Sequence, residues 1–354
     1  RQSSQGFCSA HGIGLAIYSY GPRRWAPRGC ADTRRRDTCG LQFRRDLEAL
    51  ILKEVGKALW GFNPPGARAV DGLFCDSSAQ QLPPAVFVVG APRVGSTLTY
   101  QLLASTLDVD FVSNVEYALY HTPALAMAMK RSIAKPYQAS FQSEFGFERG
   151  LWAPSEAERW WVHWFDFETR ERTPAPNDAR LAHIRRAMAS TFARTGRPFL
   201  GGQNNHTQYL PQLRKLWPHA IFVHIKRDPV RAAASVLRVR ESLHGDTTTW
   251  FSVRPLSCQR QYPTPYDEVI AQQCTVNRRV SDFAAVDDGV ITVDYDALCA
   301  DPRELVVRVA ERIGLSAQTE QLPRHFATRP HIGADSVHDE LQAALARWHA
   351  KEGS

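Results

Sequence analysis

The sequence predicts an α/β protein, a doubly wound and mainly parallel sheet of about five strands with helices on both faces. Three observations carry this reading. Short apolar runs recur at residues 85–90 (AVFVVG), 111–113, 198–201, 220–226 (AIFVHIK) and 290–294 (VITVD). Such runs suit parallel strands, whose two buried faces leave no room for polar alternation. Helical spacing follows three of them, over 97–107, 229–242 and 302–313, and strands that alternate with helices imply a parallel sheet. The junctions carry Gly or Asp-Pro, the turn chemistry that closes a strand and opens a helix.

The flanking regions read differently. Residues 1–40 mix Ser, Gly, Pro and Arg without periodicity and begin with Arg1, so they are expected to be disordered or a non-native extension. Apolar groups at helical spacing predict a helix over 41–60, and a turn-rich stretch follows from 63 to 84. Residues 141–166 are aromatic and irregular, and 244–267 reads as a long loop carrying Pro255, Pro263 and Pro265. Both interrupt the βα rhythm, as substrate-binding insertions do. The organisation expected is an extension over 1–40, one domain over 41–330, and a tail over 331–354 with a short helix at 341–351.

Charge argues against nucleic acid as a partner. Residues 1–45 hold nine Arg against Asp32 and Asp37, a net of +7, which equals the formal charge of the whole chain. The other residues are balanced, so the basicity does not belong to the folded body. No apolar run approaches the roughly 20 residues of a membrane span, so no integral membrane span is expected. The seven cysteines show no zinc spacing, and a scattered odd set suits reduced thiols in the cytoplasm, with a Cys258–Cys274 bridge as the minority alternative.

The informative junction is 86–103, VFVVGAPRVGSTLTYQLL. A strand meets a Gly-containing turn and a helix begins near Ser96. Helix N-termini expose unpaired N–H groups and attract phosphate or sulfate. Gly95 allows close backbone approach, Ser96 and Thr97 offer hydroxyls and a helix cap, and Arg93 adds a permanent cation. By itself the loop fits an ordinary βα turn equally well. It is neither G-x-x-x-x-G-K-[ST] nor G-x-G-x-x-G, which disfavours Walker-type and dinucleotide sites. The segment 220–242 repeats the layout: a strand ends at Lys226, Arg227-Asp228-Pro229 follows, and a helix carries Ser235.

Together these segments resemble the sulfotransferases that use 3′-phosphoadenosine 5′-phosphosulfate (PAPS), a family with a P-loop NTPase-like fold. Pro92-Arg93-Val94-Gly95-Ser96-Thr97 is similar to the family's P-R-S-G-T-[ST] loop, which grips the 5′-phosphosulfate. Arg227 and Ser235 match the R-D-P signature with its Ser eight residues on, which holds the 3′-phosphate. Tyr295, Leu298, Asp301 and Pro302 look like the family's Y-x-x-L-x-x-D-P turn. The likeness spans roughly residues 85–315. The aromatic block around FQSEFGFERG resembles bacterial members acting on small or carbohydrate-like acceptors. The resemblance implies PAPS as co-substrate, no metal requirement, and a small-molecule acceptor with a hydroxyl or amine.

Departures from the pattern are Val94 for Ser, Ser96 for Thr, and Gln203 where many relatives place a Lys on the bridging oxygen. Gln donates a hydrogen bond but carries no charge. For the acceptor's proton the first candidate is Glu116, just past the second strand, where tyrosylprotein sulfotransferases have their proposed base. His206 is the rival, with His121 and His163 behind it. Of Trp152, Trp160, Trp161 and Trp164, the i,i+4 pair suits core packing, and an acceptor pocket or lid is the alternative. The competing functions are a small-molecule kinase, a PAPS-site protein without turnover, and a binding protein acting through the basic arm.

Overall fold

The computed structural model describes residues 64–352, apart from 77, 80, 135, 144–147, 166–176, 193–195, 260 and 329–334. The extension over 1–40 and the helix expected over 41–60 lie outside the described residues.

All five residues of β1 (Ala85–Val89) are buried, as a central parallel strand requires. It pairs in parallel with β3 (Phe199–Gly202) on one side and β4 (Ile221–Lys226) on the other, with Val86 opposite Leu200 and Val89 opposite His224. β2 (Asp110–Phe111) adds to β3, and β5 (Val290–Asp294) adds to β4. The result is a five-stranded, all-parallel sheet in the order β2-β3-β1-β4-β5.

Successive side chains of a strand point to opposite faces, so β1 feeds two cores. Val86 and Val88 join Val223 and Ile225 of β4 under Leu102 and Leu103 of α2 (Ser96–Thr106) and Leu305 and Val309 of α11 (Pro302–Ile313). Phe87 and Val89 face the opposite layer, with Trp160 and Trp161 of α5 (Glu158–Phe165), Phe192 of α6 (Asp178–Phe192) and Leu213 of α7 (Leu210–Leu216). Helices therefore cover both faces, as a doubly wound sheet demands. A third cluster joins α8 (Pro229–His244), α9 (Pro265–Ala284) and α12 (Asp335–Glu352) through Val230, Leu237, Val269 and Leu341. The helices α1 (Pro64–Gly72), α3 (Asn114–Ala118), α4 (Pro123–Ile133) and α10 (Tyr295–Ala300) complete the described α-helices.

Some boundaries move. The second strand lies at 110–111 rather than 111–113. The irregular stretch 141–166 contains α5, and the terminal helix expected over 341–351 starts at Asp335. Cys258 and Cys274 are not bridged. No helix among the described residues is long and apolar enough to cross a membrane.

The topology also fixes where a ligand can sit. From β1 the chain crosses toward β2, and from β3 it crosses back over β1 to β4. Open α/β sheets bind ligands in the crevice where the strand order reverses, beyond the carboxyl ends of the strands. The turn after β1 and the turn after β4 flank that crevice.

Candidate active site

β1 ends at Val89, and residues 90–95 carry the chain into α2. Gly95 is the N-cap, with φ 106°, and no side chain caps the helix. The cap expected from Ser96 or Thr97 is therefore absent: both are the first helical residues, and their amides belong to the end that attracts anions. Thr97 Oγ1 instead donates to Glu156 Oε1 at 3.2 Å. Val94 is wholly buried in the core under the loop, so the residue that replaces a polar Ser serves as an apolar anchor.

The two loops named from the sequence converge. Arg93 Nε donates to Ser235 Oγ at 3.2 Å, across 142 residues of chain. Arg227 Nη1 donates to the Arg93 carbonyl at 2.8 Å. Arg227 is held over the Tyr295 ring at 4.4 Å from its centroid, and burial pulls its pKa down from the ordinary Arg value, with Tyr295 acting in the opposite direction. Asp228 caps α8 by accepting from the Arg231 amide at 2.7 Å, which aims the start of that helix at the crevice. Arg231 is tied off to Asp296 at 2.6 Å. Arg93, Gly95, Ser96, Thr97, Arg227 and Ser235 thus line one cationic cradle with an uncapped helix end.

The acceptor-side candidates take other positions. Glu116 is 2% exposed and its side chain reaches back to the N-cap of α3. Its Oε2 accepts from the Ser113 amide at 2.5 Å and faces Lys130 at 3.7 Å, so its carboxylate is engaged in starting α3. His206 lies in a short 3₁₀ turn, Asn204–Gln208, after β3. It is 0% exposed, against the rings of Trp161 (4.4 Å) and Phe87 (5.3 Å). Burial drops its pKa to about 3, a core imidazole that stays neutral and is a feeble base. His121 and His163 have rings 4.7 Å apart beside Tyr120. Trp160 and Trp161 are core residues packed on Phe199. Gln203 follows the carboxyl end of β3, 5% exposed, and its Oε1 accepts no hydrogen bond among the described residues.

Glu156 is the group that sequence reasoning missed. Segment 151–155 runs back along 112–115: Ser155 N donates to Val112 O at 2.9 Å and Asn114 N to Ala153 O at 3.1 Å. That pairing delivers Glu156 to Thr97. Part of its surface stays accessible, yet its surroundings desolvate the carboxyl enough to push its pKa up to about 7, against the pull of Thr97 and Arg93. No local pattern marks this Glu, because the contact that places it spans 59 residues.

A parallel α/β sheet with two Arg side chains and an uncapped helix end at its switch point defines an α/β protein with an anion-attracting crevice. Residues 84–320 match the model of the sulfotransferase family, and the chain belongs to that family. No curated protein matches the sequence. Among solved structures it is similar to sulfotransferase STF9 from Mycobacterium avium, at 15% identity and TM-score 0.42, over 85% of this chain and 73% of that one. It is similar to the sulfotransferase domain from the curacin biosynthetic pathway at 14% identity and TM-score 0.42, over 73% and 83% of the two chains. A sulfotransferase from Alicyclobacillus acidocaldarius is similar at 17% identity and TM-score 0.39, over 75% and 92%.

Proposed function

We propose that this sulfotransferase takes its sulfuryl group from PAPS and passes it to a hydroxyl or amine of a small or carbohydrate-like acceptor. The observation that carries this reading is the Arg93–Ser235 bond together with Arg227 on the Arg93 carbonyl. One side of the cradle suits a 5′-phosphosulfate at a helix N-terminus. The other presents a cation and a hydroxyl to a second phosphate, the feature that separates PAPS from ATP. The residues fit the donor: Gly95 leaves the backbone bare, and the first amides of α2 have no side-chain cap.

PAPS supplies an activated sulfuryl group on a phosphate leaving group. Arg93 and the α2 amides hold the 5′ end and offset the negative charge that grows on the bridging oxygen. Gln203 can donate one hydrogen bond there. Arg227 and Ser235 fix the 3′ end, so the sulfuryl group is oriented for in-line attack. Glu156 takes the acceptor's proton, because a carboxyl titrating near neutral pH is matched to that task. The unbridged Cys258 and Cys299 fit a reducing compartment, and we place the enzyme in the cytoplasm.

Calorimetric titration with adenosine 3′,5′-bisphosphate, the product PAPS leaves, against ADP with magnesium tests the donor. Preference for the bisphosphate is expected. Preference for ADP with magnesium overturns the reading in favour of a kinase. A second reading, donor binding without turnover, is favoured by Gln203 alone. Release of the bisphosphate from PAPS across a panel of alcohols, phenols, amines and sugars separates the two.

A further inference from the structure

Arg93 and Ser252 both hold left-handed backbone, φ 67° each, without being glycine. That conformation is unfavourable for a residue with a Cβ and persists only where its surroundings over-determine it. Three bonds bracket Arg93. Its carbonyl accepts from Arg227 and its Nε donates to Ser235. The third falls one residue earlier, where the Pro92 carbonyl accepts from Gln273 Nε2 at 3.0 Å. Gln273 stands on α9, 181 residues away in sequence, and is 0% exposed.

Its neighbour Gln272 is also 0% exposed, and its Nε2 donates to Phe251 O at 2.9 Å and Val253 O at 2.7 Å. Those carbonyls flank Ser252, whose Oγ accepts from Asn204 Nδ2 at 3.1 Å. Adjacent amides on one helix therefore grip both strained loops beside the crevice. Elsewhere the buried positions of α9 hold Val269, Ile270, Ala271, Val276 and Val280. Two wholly buried amides are costly to desolvate at positions where an apolar side chain would pack freely, so their presence calls for a use.

We propose that Gln273 is a positioning residue for Arg93. It pins the Pro92 carbonyl, and thereby holds the next residue in the left-handed turn that brings its guanidinium to Ser235 and to the donor's 5′ end. Gln273 does not touch the donor. The inference rests on the reading of residues 90–97 as the donor loop.

The test is a double-mutant cycle read by calorimetric binding of adenosine 3′,5′-bisphosphate to the full chain. Gln273→Met keeps volume and removes the donor N–H. Arg93→Gly removes the guanidinium and the backbone strain together, so it leaves Gln273 nothing to position. Gln273→Met is expected to weaken binding about tenfold in the parent and less than twofold in the Arg93→Gly background. Equal losses in both backgrounds would assign Gln273 a general structural role and overturn the proposal, and so would no loss in the parent. If Gln273→Met fails to fold, Gln273→Asn serves in the same cycle, since it keeps the amide but withdraws it by one methylene. Failure of the parent to bind the bisphosphate removes the donor reading and this inference with it, whereas binding without the coupling removes the inference alone.

Discussion

The Tyr295 ring lies so close to Gly95 that a Cβ there would stand 2.5 Å from Cδ2 and 2.6 Å from Cε2. The Arg227 guanidinium lies 4.4 Å from the centroid of the same ring. Tyr295, which opens the Y-x-x-L-x-x-D-P turn, is thus packed between Gly95 and Arg227. A cation over a desolvated ring is worth about 1–2 kcal/mol, and the ring also fixes the direction of Arg227. Tyr295→Leu should weaken binding of adenosine 3′,5′-bisphosphate by about tenfold. Tyr295→Phe should bind like the parent, since it keeps the ring and loses only the hydroxyl that engages Cys299. Calorimetry of the two variants checks this, and equal losses would move the effect to the hydroxyl.

The same geometry forbids a side chain at Gly95 on two counts, its φ of 106° and the Tyr295 ring. Gly95→Ala should therefore abolish measurable bisphosphate binding while leaving a folded protein, because the strain is confined to a loop at the sheet's edge. Near-ultraviolet circular dichroism alongside the titration distinguishes loss of the site from loss of the fold.

Arg227 and Ser235 act on one end of the nucleotide in this reading, so their removal should discriminate between ligands. Arg227→Ala is expected to weaken adenosine 3′,5′-bisphosphate by about 2–3 kcal/mol, the range for a charge-assisted contact to phosphate. Its effect on adenosine 5′-monophosphate should be several-fold smaller. Because Arg227 also holds the Arg93 carbonyl, some loss for the monophosphate is expected. The ratio of the two affinities is the readout, and an unchanged ratio would remove Arg227 from the 3′ site.

What the sequence makes legible follows from chain separation. β1 and β4 are buried along nearly their whole length, so continuous apolar runs announce them, and the loops at their ends lie within a few residues of recognisable punctuation. α9 escapes the same logic. It spans Pro265–Ala284, but its interior face carries Gln272 and Gln273, and amides spent on holding loops erase the apolar period that marks a helix. α6 is different: Leu181, Ile184, Met188 and Phe192 are buried at helical spacing, so it lies within reach of periodicity. Glu156 is hidden because its position depends on the 151–155 segment pairing with 112–115. Glu116 and His206 attract attention by residue type and place along the chain, yet a helix start and an aromatic core engage them.

The titration of Glu156 leads to two pH effects of opposite sense. As a base it must be ionised, so kcat/KM for sulfuryl transfer should rise with pH through about 7 and level off above it. Glu156→Gln should lower the plateau by about a hundredfold to ten-thousandfold and flatten the rise. Stability runs the other way. The folded carboxyl titrates near 7 against an ordinary 4.5, so between those values the folded chain keeps a proton that the unfolded chain has lost. The contribution is full below 4.5 and is lost as pH rises through 7. His206 and His224, pulled by burial to about 3 and about 4, have the reverse sign and lose stability as pH falls below 6.5. Denaturant titrations of parent and Glu156→Gln from pH 4.5 to 8 isolate the carboxyl: the difference between them should shift in favour of the variant as pH rises. A constant difference would show that Glu156 titrates at an ordinary value.

The Arg240–Glu268 pair sets a separate test, of what fixes the loop that follows α8. The Arg240 side chain is 0% exposed, and its Nη1 meets Glu268 Oε1 at 2.6 Å and Thr247 O at 3.1 Å, with the guanidinium 5.4 Å from the Trp250 centroid. This joins α8 to α9 and to the loop that carries Ser252. Removing one partner strands a buried charge, so Glu268→Leu should cost about 3–5 kcal/mol in denaturant unfolding, whereas Arg240→Met with Glu268→Leu should recover most of that loss. The double variant restores packing but not the bond to Thr247 O, so the loop's carbonyl loses its anchor. Its stability should approach that of the parent while its turnover stays low. Recovery of stability and turnover together would show that the pair serves the fold alone.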